Sequence, residues 1–412
     1  MFRSFVEKKL VRKITSSIRL PESDDSETLW SGSSSYDCSL DFKSCASDHT
    51  SSSSSPQPKM PVLHRKELQL GPLLGQGAFA QVFAVTKIEM NSSSINEKLI
   101  IEPQQEMVAR QKLLRSANVR GGDGCSLAVK HLNRKLLRHP KVFRQALDDL
   151  EREAHILSTL QNHPNIVQLR AVSMGGIAKL KRSGRYNDYF LVMNRCEDTL
   201  HDRIEDTGKM LPATVPPLTT LVRYATQLAS ALQYLHQRRF IFRDCKPTNV
   251  GFQRWTGDGN DEDTERIQLF DFGLCRALPP SSSSSSSSTD METFQMSMAG
   301  TTRYMSPEIL LGEAYNCKAD TYSFALVLYE MFSQKTAYEG IKNRNVFQQE
   351  VCNASIRPDL NSLNVPQSLK NLLEQAWCKS VSARLTIKTV LDELEGIQKE
   401  LQQLNKSCCH CY

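Results

Sequence analysis

The chain has 412 residues, 40% of them apolar and 23% charged, and is therefore long enough for two ordinary domains or one large bilobed domain. Its net charge of +6 is mild at this length and does not indicate a nucleic-acid-binding protein, whose basic residues would cluster far more strongly. It contains neither a run of 18 apolar residues nor an apolar stretch after Met1. We therefore expect no membrane-spanning helix, no secretion and a cytoplasmic location, in which the 12 cysteines stay reduced.

Residues 1–66 are predicted to form a disordered, serine-rich tail, because Ser and Asp are abundant there and "SSSSS" at 51–55 leads into Pro56 and Pro58. The first 20 residues differ, since six basic residues are interleaved with apolar ones. An amphipathic helix there could contact an anionic membrane or act as an organelle transit peptide. The interpretation we favour is a solvated basic end of the tail.

Strand-like runs begin at Glu67. The stretches "LQLGPLL", "AQVFAVT", "SLAVKHL" and "YFLVMN" predict a small β-rich lobe over about 67–193. A long polar insertion at about 89–123 interrupts these runs and is predicted to be a surface excursion. One helical pattern, at about 143–160, falls among the strands.

From about 197 to 397 the chain is predicted to form a larger helical lobe. Apolar residues recur there at intervals of three and four, at Leu218, Leu221, Val222, Ala225, Leu228, Ala229, Leu232 and Leu235. The run "YSFALVLYEMF" at 322–332 is apolar all round, which predicts a helix buried at the centre of the lobe. A cleft between the two lobes is then the expected ligand site.

The chain ends in the helical pattern "VLDELEGIQKELQQL". Two heptads are too few to indicate a coiled coil, so we predict a last helix docked on the larger lobe. Residues 398–412 would hold the end of this helix and a Cys-rich tail.

Two features of the β-rich lobe could bind phosphates. In the turn "GQGAFAQV", Gly75 and Gly77 would let backbone N–H groups approach a phosphate with no Cβ in the way, although a plain hairpin turn is the alternative. Lys130 lies in a buried strand run, where a lysine needs a carboxylate or phosphate partner, and Glu153 on the following helix is the natural carboxylate. For this pair alone, a structural salt bridge without a ligand is the alternative.

The stretch "IFRDCKPTNVGF" at 241–252 places Asp244, Lys246 and Asn249 between two apolar runs. A loop clamped at both ends holds its side chains in fixed geometry, as a catalytic site requires. Asp271 in "LFDFGLC" is a further acid between apolar residues, and with Asn249 it offers two hard oxygen ligands for Mg²⁺. Taken alone, Asp271 could equally be a capped turn aspartate.

In chain order, "GQGAFAQV", "AVK", Glu153, "FRDCKPTN", "DFG" and "SPE" resemble the signature set of the eukaryotic protein kinases. The resemblance covers about 67–397. It implies an α+β, bilobed protein kinase fold with a small antiparallel β-rich N-lobe and a larger helical C-lobe. It also implies ATP and Mg²⁺ as cofactors and proteins as substrates.

The same resemblance implies residue roles. Asp244 would accept or orient the proton of the attacking hydroxyl, and Lys246 would neutralise charge on the transferred phosphate. Asn249 and Asp271 would hold Mg²⁺. The implied nucleotide-binding positions are Gly75, Gln76, Gly77, Ala78, Val82, Ala128, Lys130, Glu153, Met193 and Cys196, with Lys130 on the α- and β-phosphates and fixed there by Glu153.

Finer features indicate a subclass. Lys246, two residues after Asp244, and Thr301, which would contact the catalytic loop, are typical of serine/threonine kinases. "DTYSFALVLYEM" and "AWCKSVSARL" resemble the tyrosine-kinase-like branch. Arg384 would pair with Glu308 and tie the activation segment to the large lobe.

The chain departs from the family pattern at two positions. Ala80 replaces the third small residue of the turn, usually glycine, and Phe242 replaces the usual histidine of the catalytic-loop triplet. Phe242 would form an apolar column with Leu157, Leu169 and Phe272 that aligns the lobes.

Arg243, just before Asp244, suggests control by phosphorylation of the activation loop, since a phosphate could pair with it and order the loop. Ser297 stands where that phosphosite often lies, which implies an upstream activating kinase. The eight serines at 281–288 could also be phosphorylated, although we interpret them as a slack spacer.

Two weaker signals remain. The terminal "CCHCY" could be acylated, and thereby contact a membrane, or could bind zinc, but it fits the prenylation rule poorly and lacks an evident fourth zinc ligand. A basic run comprising Lys135, Arg138, Lys141 and Arg144 is interpreted as a solvated helix face, although it could meet a phosphorylated loop.

Three functions compete. An active serine/threonine kinase is the first. A pseudokinase that binds nucleotide or partners without phosphate transfer is the second, but Lys130, Asp244, Asn249 and Asp271 are all present. A small-molecule kinase, the third, would not explain "SPE" and Arg384, which build a platform for protein substrates.

Overall fold

A computed structural model describes residues 60–89, 103–117, 125–160, 162–177, 180, 185–207, 215–255, 264–279 and 292–409. These residues all belong to one compact unit, Met60–Tyr412. The basic start of the tail, the serines at 281–288 and the side chains of "CCHCY" lie outside the described residues. The predictions made for them therefore stay predictions.

The N-terminal part is built on a six-stranded sheet with the order β1-β5-β6-β4-β3-β2. Its strands are β1 (Val62–Leu63), β2 (Leu68–Gln76), β3 (Ala80–Ile88), β4 (Leu127–Leu132), β5 (Leu169–Ser173) and β6 (Phe190–Asn194). Only β1 and β5 run parallel among these pairs, with Val62 opposite Val172. Because β1 already belongs to the sheet, the predicted boundary between 66 and 67 lies inside the folded unit.

Helix α1 (Pro103–Ala117) lies within the predicted insertion. Leu113 and Ala117 are buried in the apolar cluster that includes Leu63 and Phe190. This part of the insertion is therefore packed against the sheet, and the prediction of a surface excursion was wrong for it.

Helix α2 (Pro140–Thr159) follows β4 and agrees with the helix predicted at 143–160. Proline at its first position suits a helix start, since the missing N–H would have no intrahelical partner there. Its buried face includes Leu150 and Glu153, so α2 carries a charged residue into the interior. The helix packs against β4, β5 and the short 3₁₀ turn Phe272–Leu274.

The rest of the described chain is mainly helical. Its helices are α3 (Leu200–Thr207), α4 (Leu218–Gln237), α5 (Pro307–Leu311), α6 (Lys318–Ser333), α7 (Arg344–Phe347), α8 (Gln367–Ala376) and α9 (Ile387–Cys409), with a π-helical stretch at Gln348–Asn353. Short strands β7 (Phe240–Ile241), β8 (Val250–Trp255), β9 (Thr264–Leu269) and β10 (Arg276–Ala277) form two-stranded pairs, β7 with β10 and β8 with β9.

Two predictions about helices are confirmed. Residues 318–331 of α6 are all buried, as expected for a helix at the centre of a lobe. The last helix, α9, packs along α4 through buried Val390, Leu394 and Ile397.

No disulfide joins the seven cysteines whose side chains the structure describes. Across the described residues, no helix combines the length and the apolarity needed to cross a bilayer.

Candidate active site

The loop from Phe242 to Lys246 is held in place by one buried carboxylate. Asp320, at the start of α6, accepts hydrogen bonds from the backbone N–H groups of Phe242 and Arg243, both at 2.8 Å. It also lies 2.8 Å from Nε2 of His236 on α4. The clamped loop expected from the sequence is therefore anchored to the central helix by a side chain that is fully buried.

This anchored loop presents Asp244, whose carboxylate is engaged on both oxygens. Oδ1 accepts a hydrogen bond from the Thr301 hydroxyl at 2.8 Å, and Oδ2 lies 2.7 Å from the Lys246 ammonium. Lys246 in turn donates to the Thr301 hydroxyl at 2.9 Å. The predicted contact between Thr301 and the catalytic loop is present, and the three groups form a closed ring.

Asn249 joins the same cluster from the 3₁₀ turn Pro247–Asn249. Its Nδ2 donates to the Asp244 carbonyl at 2.9 Å and to Asp244 Oδ2 at 3.2 Å. Because the amide nitrogen faces Asp244, the Asn249 carbonyl oxygen is oriented away from that contact.

A second cluster joins the sheet to the helical part of the chain. The Lys130 ammonium lies 2.6 Å from Glu153 Oε2 and 2.8 Å from Asp271 Oδ1. Lys130 is on β4, Glu153 is on α2, and Asp271 follows β9. Burial by itself would lower the pKa of Lys130, but the two carboxylates outweigh it and raise that pKa above its ordinary value.

Asp271 connects the two clusters electrostatically. Partial removal from water would raise its pKa, but the positive charge and hydrogen bond of Lys130, together with the charge of Lys246, hold the pKa below its usual range. The carboxylate is therefore ionised near neutral pH while its side chain remains 46% exposed. Its backbone is left-handed, with φ = 70°, a conformation that aspartate tolerates better than most residues.

The residue after Asp271 packs into the core. The rings of Phe272 and Phe242 meet edge to face with centroids 5.2 Å apart, and both are fully buried. Leu157 and Leu169 are buried in the same cluster. These four residues are those predicted to form the apolar column between the lobes, and an aromatic ring fills the position of the usual histidine.

Four of the predicted nucleotide-binding residues lie on three neighbouring strands of the sheet, β3, β4 and β6. Val82 on β3 pairs with Lys130 on β4, and Ala128 on β4 pairs with Met193 on β6. Cys196 follows β6, and its Sγ would lie 2.7 Å from a Cβ added at Gly251 on β8. Gly251 was not predicted, since its closeness to Cys196 comes from the packing of segments far apart in the chain.

The glycine-rich turn, residues 75–78, has open space next to the Cα atoms of its two glycines. A Cβ added at Gly75 would meet no atom within 4 Å, and one at Gly77 would meet only the Ala80 carbonyl oxygen, at 3.9 Å. The Gly77 N–H donates to that oxygen at 2.9 Å, which closes the turn. Gln76 bonds the Gln81 side chain at 3.1 Å, and Ala78 is exposed.

The residues present fit Mg-ATP. Asp271 supplies an ionised carboxylate and Asn249 an amide oxygen, which are donors that Mg²⁺ prefers, and Lys130 supplies a positive charge for phosphate. The turn at Gly75 and Gly77 is open enough for a phosphate to approach the backbone.

Arg243 contacts the activation segment, by which we mean the residues between the "DFG" and "SPE" motifs. Its guanidinium donates to the carbonyl oxygens of Leu274 at 2.7 Å and Ser297 at 3.4 Å, and to the Tyr315 hydroxyl at 3.2 Å. These acceptors are neutral. Ser297 itself is exposed, and its carbonyl also accepts a hydrogen bond from the Tyr315 hydroxyl at 2.8 Å.

Some predicted residues lie apart from the clusters. Lys135, Arg138, Lys141 and Arg144 are exposed, as expected for a solvated face. Arg384 does pair with Glu308 as predicted, through two bonds of 2.6 and 3.0 Å. Sequence reasoning had noted Asp320 only as part of a motif, and its role as the anchor of the catalytic loop was missed because its partners are remote in the chain.

The amino-acid sequence of this chain is similar to those of known proteins. A family model described as "Protein kinase domain" matches residues 114–394. A probable serine/threonine-protein kinase of Dictyostelium discoideum is 26% identical over 325 residues, which are 79% of this chain and 17% of that protein. Serine/threonine-protein kinase 12 of Arabidopsis thaliana is 27% identical over 289 residues, covering 66% of this chain and 52% of that protein.

A third relative, the dual specificity protein kinase shkA of Dictyostelium discoideum, is 28% identical over 271 residues, covering 65% of this chain and 44% of that protein. The chain thus spans about half or less of the length of these relatives. The family match and the division into a sheet-based and a helical part confirm the predicted bilobed α+β fold. The chain therefore belongs to the protein kinase domain family.

Proposed function

We propose that this chain is a serine/threonine protein kinase that transfers the γ-phosphoryl group of Mg-ATP to hydroxyl groups of protein substrates. The observation that carries the proposal is the double contact of Lys130 with Glu153 and Asp271. It joins a strand, a helix and the segment after β9, and its Asp271 is influenced by the charge of Lys246, which pairs with Asp244. Names of relatives that contain "serine/threonine-protein kinase" support the same activity.

Mg-ATP, when bound, supplies the phosphoryl group and the ADP leaving group. The Asp244 carboxylate takes the proton of the attacking hydroxyl while that oxygen forms a bond to phosphorus and the bond from phosphorus to the ADP oxygen breaks. Lys246 and Thr301 hold this carboxylate by the contacts described above. Because these groups are already positioned, the charge that develops during transfer meets fixed dipoles and cations.

The remaining residues hold the nucleotide. Lys130 would contact the α- and β-phosphates, with Glu153 fixing its position, and Asn249 and Asp271 would bind Mg²⁺. The side chains of Val82, Ala128, Met193 and Cys196 would surround the base. The glycine-rich turn would cover the phosphates.

Serine and threonine are the proposed acceptors. The closed ring of Asp244, Lys246 and Thr301 supports this choice, because both Lys246 and Thr301 stand at the positions typical of serine/threonine kinases. The motifs around Asp320 and Arg384 favour the tyrosine-kinase-like branch.

Regulation by activation-loop phosphorylation is part of the proposal. Arg243 donates to neutral acceptors, one of them the carbonyl of the exposed Ser297, so a phosphate on Ser297 would add a charge that Arg243 could bind. An upstream kinase would supply this phosphate. We further propose that the protein is cytoplasmic, that it does not bind nucleic acid, and that any membrane contact is weak and made through the basic N-terminus or "CCHCY".

The test is phosphate transfer from Mg-ATP to a generic protein substrate, followed by identification of the modified amino acid. Wild type should modify Ser or Thr, whereas Asp244→Asn and Asp271→Ala should reduce transfer by at least about 100-fold, in line with the loss of a general base or of charge stabilisation. Thermal unfolding of each variant shows that the fold is intact. Lys388→Ala, at an exposed ion pair on α9, is the matched control and should transfer normally.

Equal, near-background transfer by wild type and Asp271→Ala would favour the pseudokinase over the enzyme. Transfer to free small molecules but not to protein would favour the small-molecule kinase. Phosphotyrosine as the main product would refute the proposed acceptor.

A further inference from the structure

Two arginines from different elements converge on Asp149 where α2 meets the turn after Asp271. Arg152, on α2 itself, places Nη1 2.6 Å from Asp149 Oδ1. Arg276, on β10, places Nη2 3.5 Å from the same oxygen. Asp149 is therefore a carboxylate shared between the helix and the activation segment.

The same two arginines bind the backbone of the turn. Arg276 Nη1 donates to the carbonyl oxygens of Gly273 at 3.0 Å and Cys275 at 2.8 Å, and Arg152 Nη1 is 3.5 Å from the Gly273 carbonyl oxygen. A Cβ added at Gly273 would lie 3.8 Å from the Cβ of Asp149, so helix and turn are in close contact here. A movement of α2 away from the turn would break the two contacts that span these elements, Arg276–Asp149 and Arg152–Gly273.

Asp149 lies on α2 close to the residue that pairs with Lys130. Glu153, one helical turn after Asp149, is the residue that pairs with Lys130. Asp271, which also pairs with Lys130, lies two residues before Gly273. The Asp149 contacts thus fasten helix and turn beside the two carboxylates that position Lys130.

The local charges show why a carboxylate is needed. Burial, and then the positive charges of Arg243 and Arg152, lower the pKa of the Arg276 guanidinium to about 10, and Asp149 acts in the opposite direction. The Arg276 guanidinium is therefore repelled by Arg243 and Arg152, and the Asp149 carboxylate offsets part of that repulsion. Arg243 donates to the neutral acceptors described above.

We propose that Asp149 is a positioning residue, an internal counter-ion that fastens α2 to the segment after Phe272 and keeps Glu153 on Lys130 when the activation segment carries no phosphate. The proposal rests on the proposed function and divides its regulation into two parts. The nucleotide site depends on Asp149 through Arg276 and Arg152. A phosphate on Ser297 acts through Arg243, on the segment that receives the protein substrate.

The test measures binding of Mg-ATP by calorimetry with phosphatase-treated protein, because binding can be measured whether or not phosphate is transferred. Asp149→Asn should weaken binding about threefold to tenfold, the loss expected for charge-assisted hydrogen bonds at a partly exposed site. Asp149→Glu, which keeps the charge, should recover part of the affinity. Asp148→Asn, at the exposed neighbouring position, is the matched control and should bind as wild type does.

A second pair of variants keeps the test informative if Asp149→Asn is unstable. Arg276→Gln, on a different element, should weaken binding by a similar factor, and the double variant should be no weaker than either single variant. Ser297→Ala should leave nucleotide binding unchanged. In transfer assays the Asp149 effect should appear in KM for ATP, whereas the Ser297 effect should appear with the protein substrate.

Equal affinities for Asp149→Asn and wild type would overturn the proposal, as would additive effects of Asp149 and Arg276 or a requirement for phosphorylated Ser297 in nucleotide binding. Wild type that binds Mg-ATP but transfers no phosphate would overturn the proposed function alone. Wild type that binds no nucleotide would overturn both.

Discussion

Arg384 and Glu308 form a buried bidentate ion pair. Arg384 Nη1 lies 2.6 Å from Glu308 Oε1 and Nη2 lies 3.0 Å from Oε2, and both side chains are almost fully buried. Burial alone would raise the pKa of Glu308, but the Arg384 charge and hydrogen bonds hold it below its usual value. The pair links α5, just after the activation segment, to the loop before α9.

Removing the positive partner should be severely destabilising. Arg384→Met leaves the Glu308 carboxylate buried and unpaired, for which we expect a loss of about 3–5 kcal/mol in the free energy of unfolding. Chemical denaturation of purified wild type and variant measures this difference. The double variant Arg384→Met/Glu308→Leu should recover much of the loss, and a single variant as stable as wild type would contradict the assigned role.

Stability should depend on pH through Glu330, which lies on α6. Its carboxylate accepts hydrogen bonds from the Tyr304 hydroxyl, at 3.1 Å, and from the Ala337 N–H, at 2.7 Å. Burial raises its pKa from 4.5 to about 7, even though these bonds oppose the rise. A folded pKa above the unfolded value means that the protonated form stabilises the fold, fully below about pH 4.5 and progressively less as the pH rises through 7.

Glu330→Gln removes the titrating group and keeps an acceptor oxygen. Relative to wild type, the glutamine variant should therefore gain stability between pH 5 and pH 8, by about 3 kcal/mol at most. Urea denaturation at both pH values gives the two differences. Glu393→Gln, at an exposed position on α9, serves as the control, and a Glu330→Gln difference that is the same at both pH values would count against the raised pKa.

The sequence supported strong predictions where local pattern and chemistry coincide. The apolar run at 322–332 forms a buried helix, as predicted. Lys130 pairs with Glu153, as predicted, because a buried lysine on a strand requires a nearby carboxylate. The same reasoning correctly placed Asp244 on a clamped loop. In each case the residue type and its neighbours in the sequence were enough to predict the local structure.

Other features depend on residues that are far apart in the sequence. Asp320 holds the catalytic loop from 77 and 78 positions away, and Arg276 on β10 reaches Asp149 on α2 although strands β5 to β9 and helices α3 and α4 lie between them in the chain. Helix α1 was misjudged because its sequence is mostly polar. Two of its buried residues, Glu106 and Arg110, are charged, and their partners become apparent only once the helix is docked.

Helix α1 should therefore be needed for the stability of the sheet. Arg110 pairs with Glu67 in the interior, and Glu106 Oε1 accepts a hydrogen bond from the Val62 N–H at 3.0 Å. Arg110→Met would leave Glu67 buried without this partner and should lower the free energy of unfolding by about 3 kcal/mol or more. Thermal and chemical denaturation would detect the loss.

Arg115→Met, at an exposed position of the same helix, is the matched control and should have little effect. Partial recovery in Glu67→Gln/Arg110→Met would identify the unpaired charge as the cause. If Arg110→Met and Arg115→Met were equally stable, the docked position of α1 would be wrong.

Asn133 should order the glycine-rich turn. Its backbone N–H donates to the Phe79 carbonyl at 2.9 Å, and its side-chain Nδ2 donates to the Gly77 carbonyl at 3.3 Å. Its Oδ1 accepts from the Lys135 N–H at 3.1 Å and begins the 3₁₀ turn Arg134–Arg138. Asn133→Ala removes both side-chain bonds, so the turn should become more mobile and KM for ATP should rise about twofold to tenfold, with kcat changed less.

The two side-chain bonds can be separated with Asn133→Ser, because serine also accepts the N–H at the start of a helix but its hydroxyl is too short to reach Gly77. If the bond to Gly77 orders the turn, Asn133→Ser should raise KM for ATP as much as Asn133→Ala does. Steady-state kinetics at saturating protein substrate measure both values. A serine variant with the KM of wild type would assign the effect to the 3₁₀ turn instead, and the glycine-rich turn would then be ordered by its backbone alone.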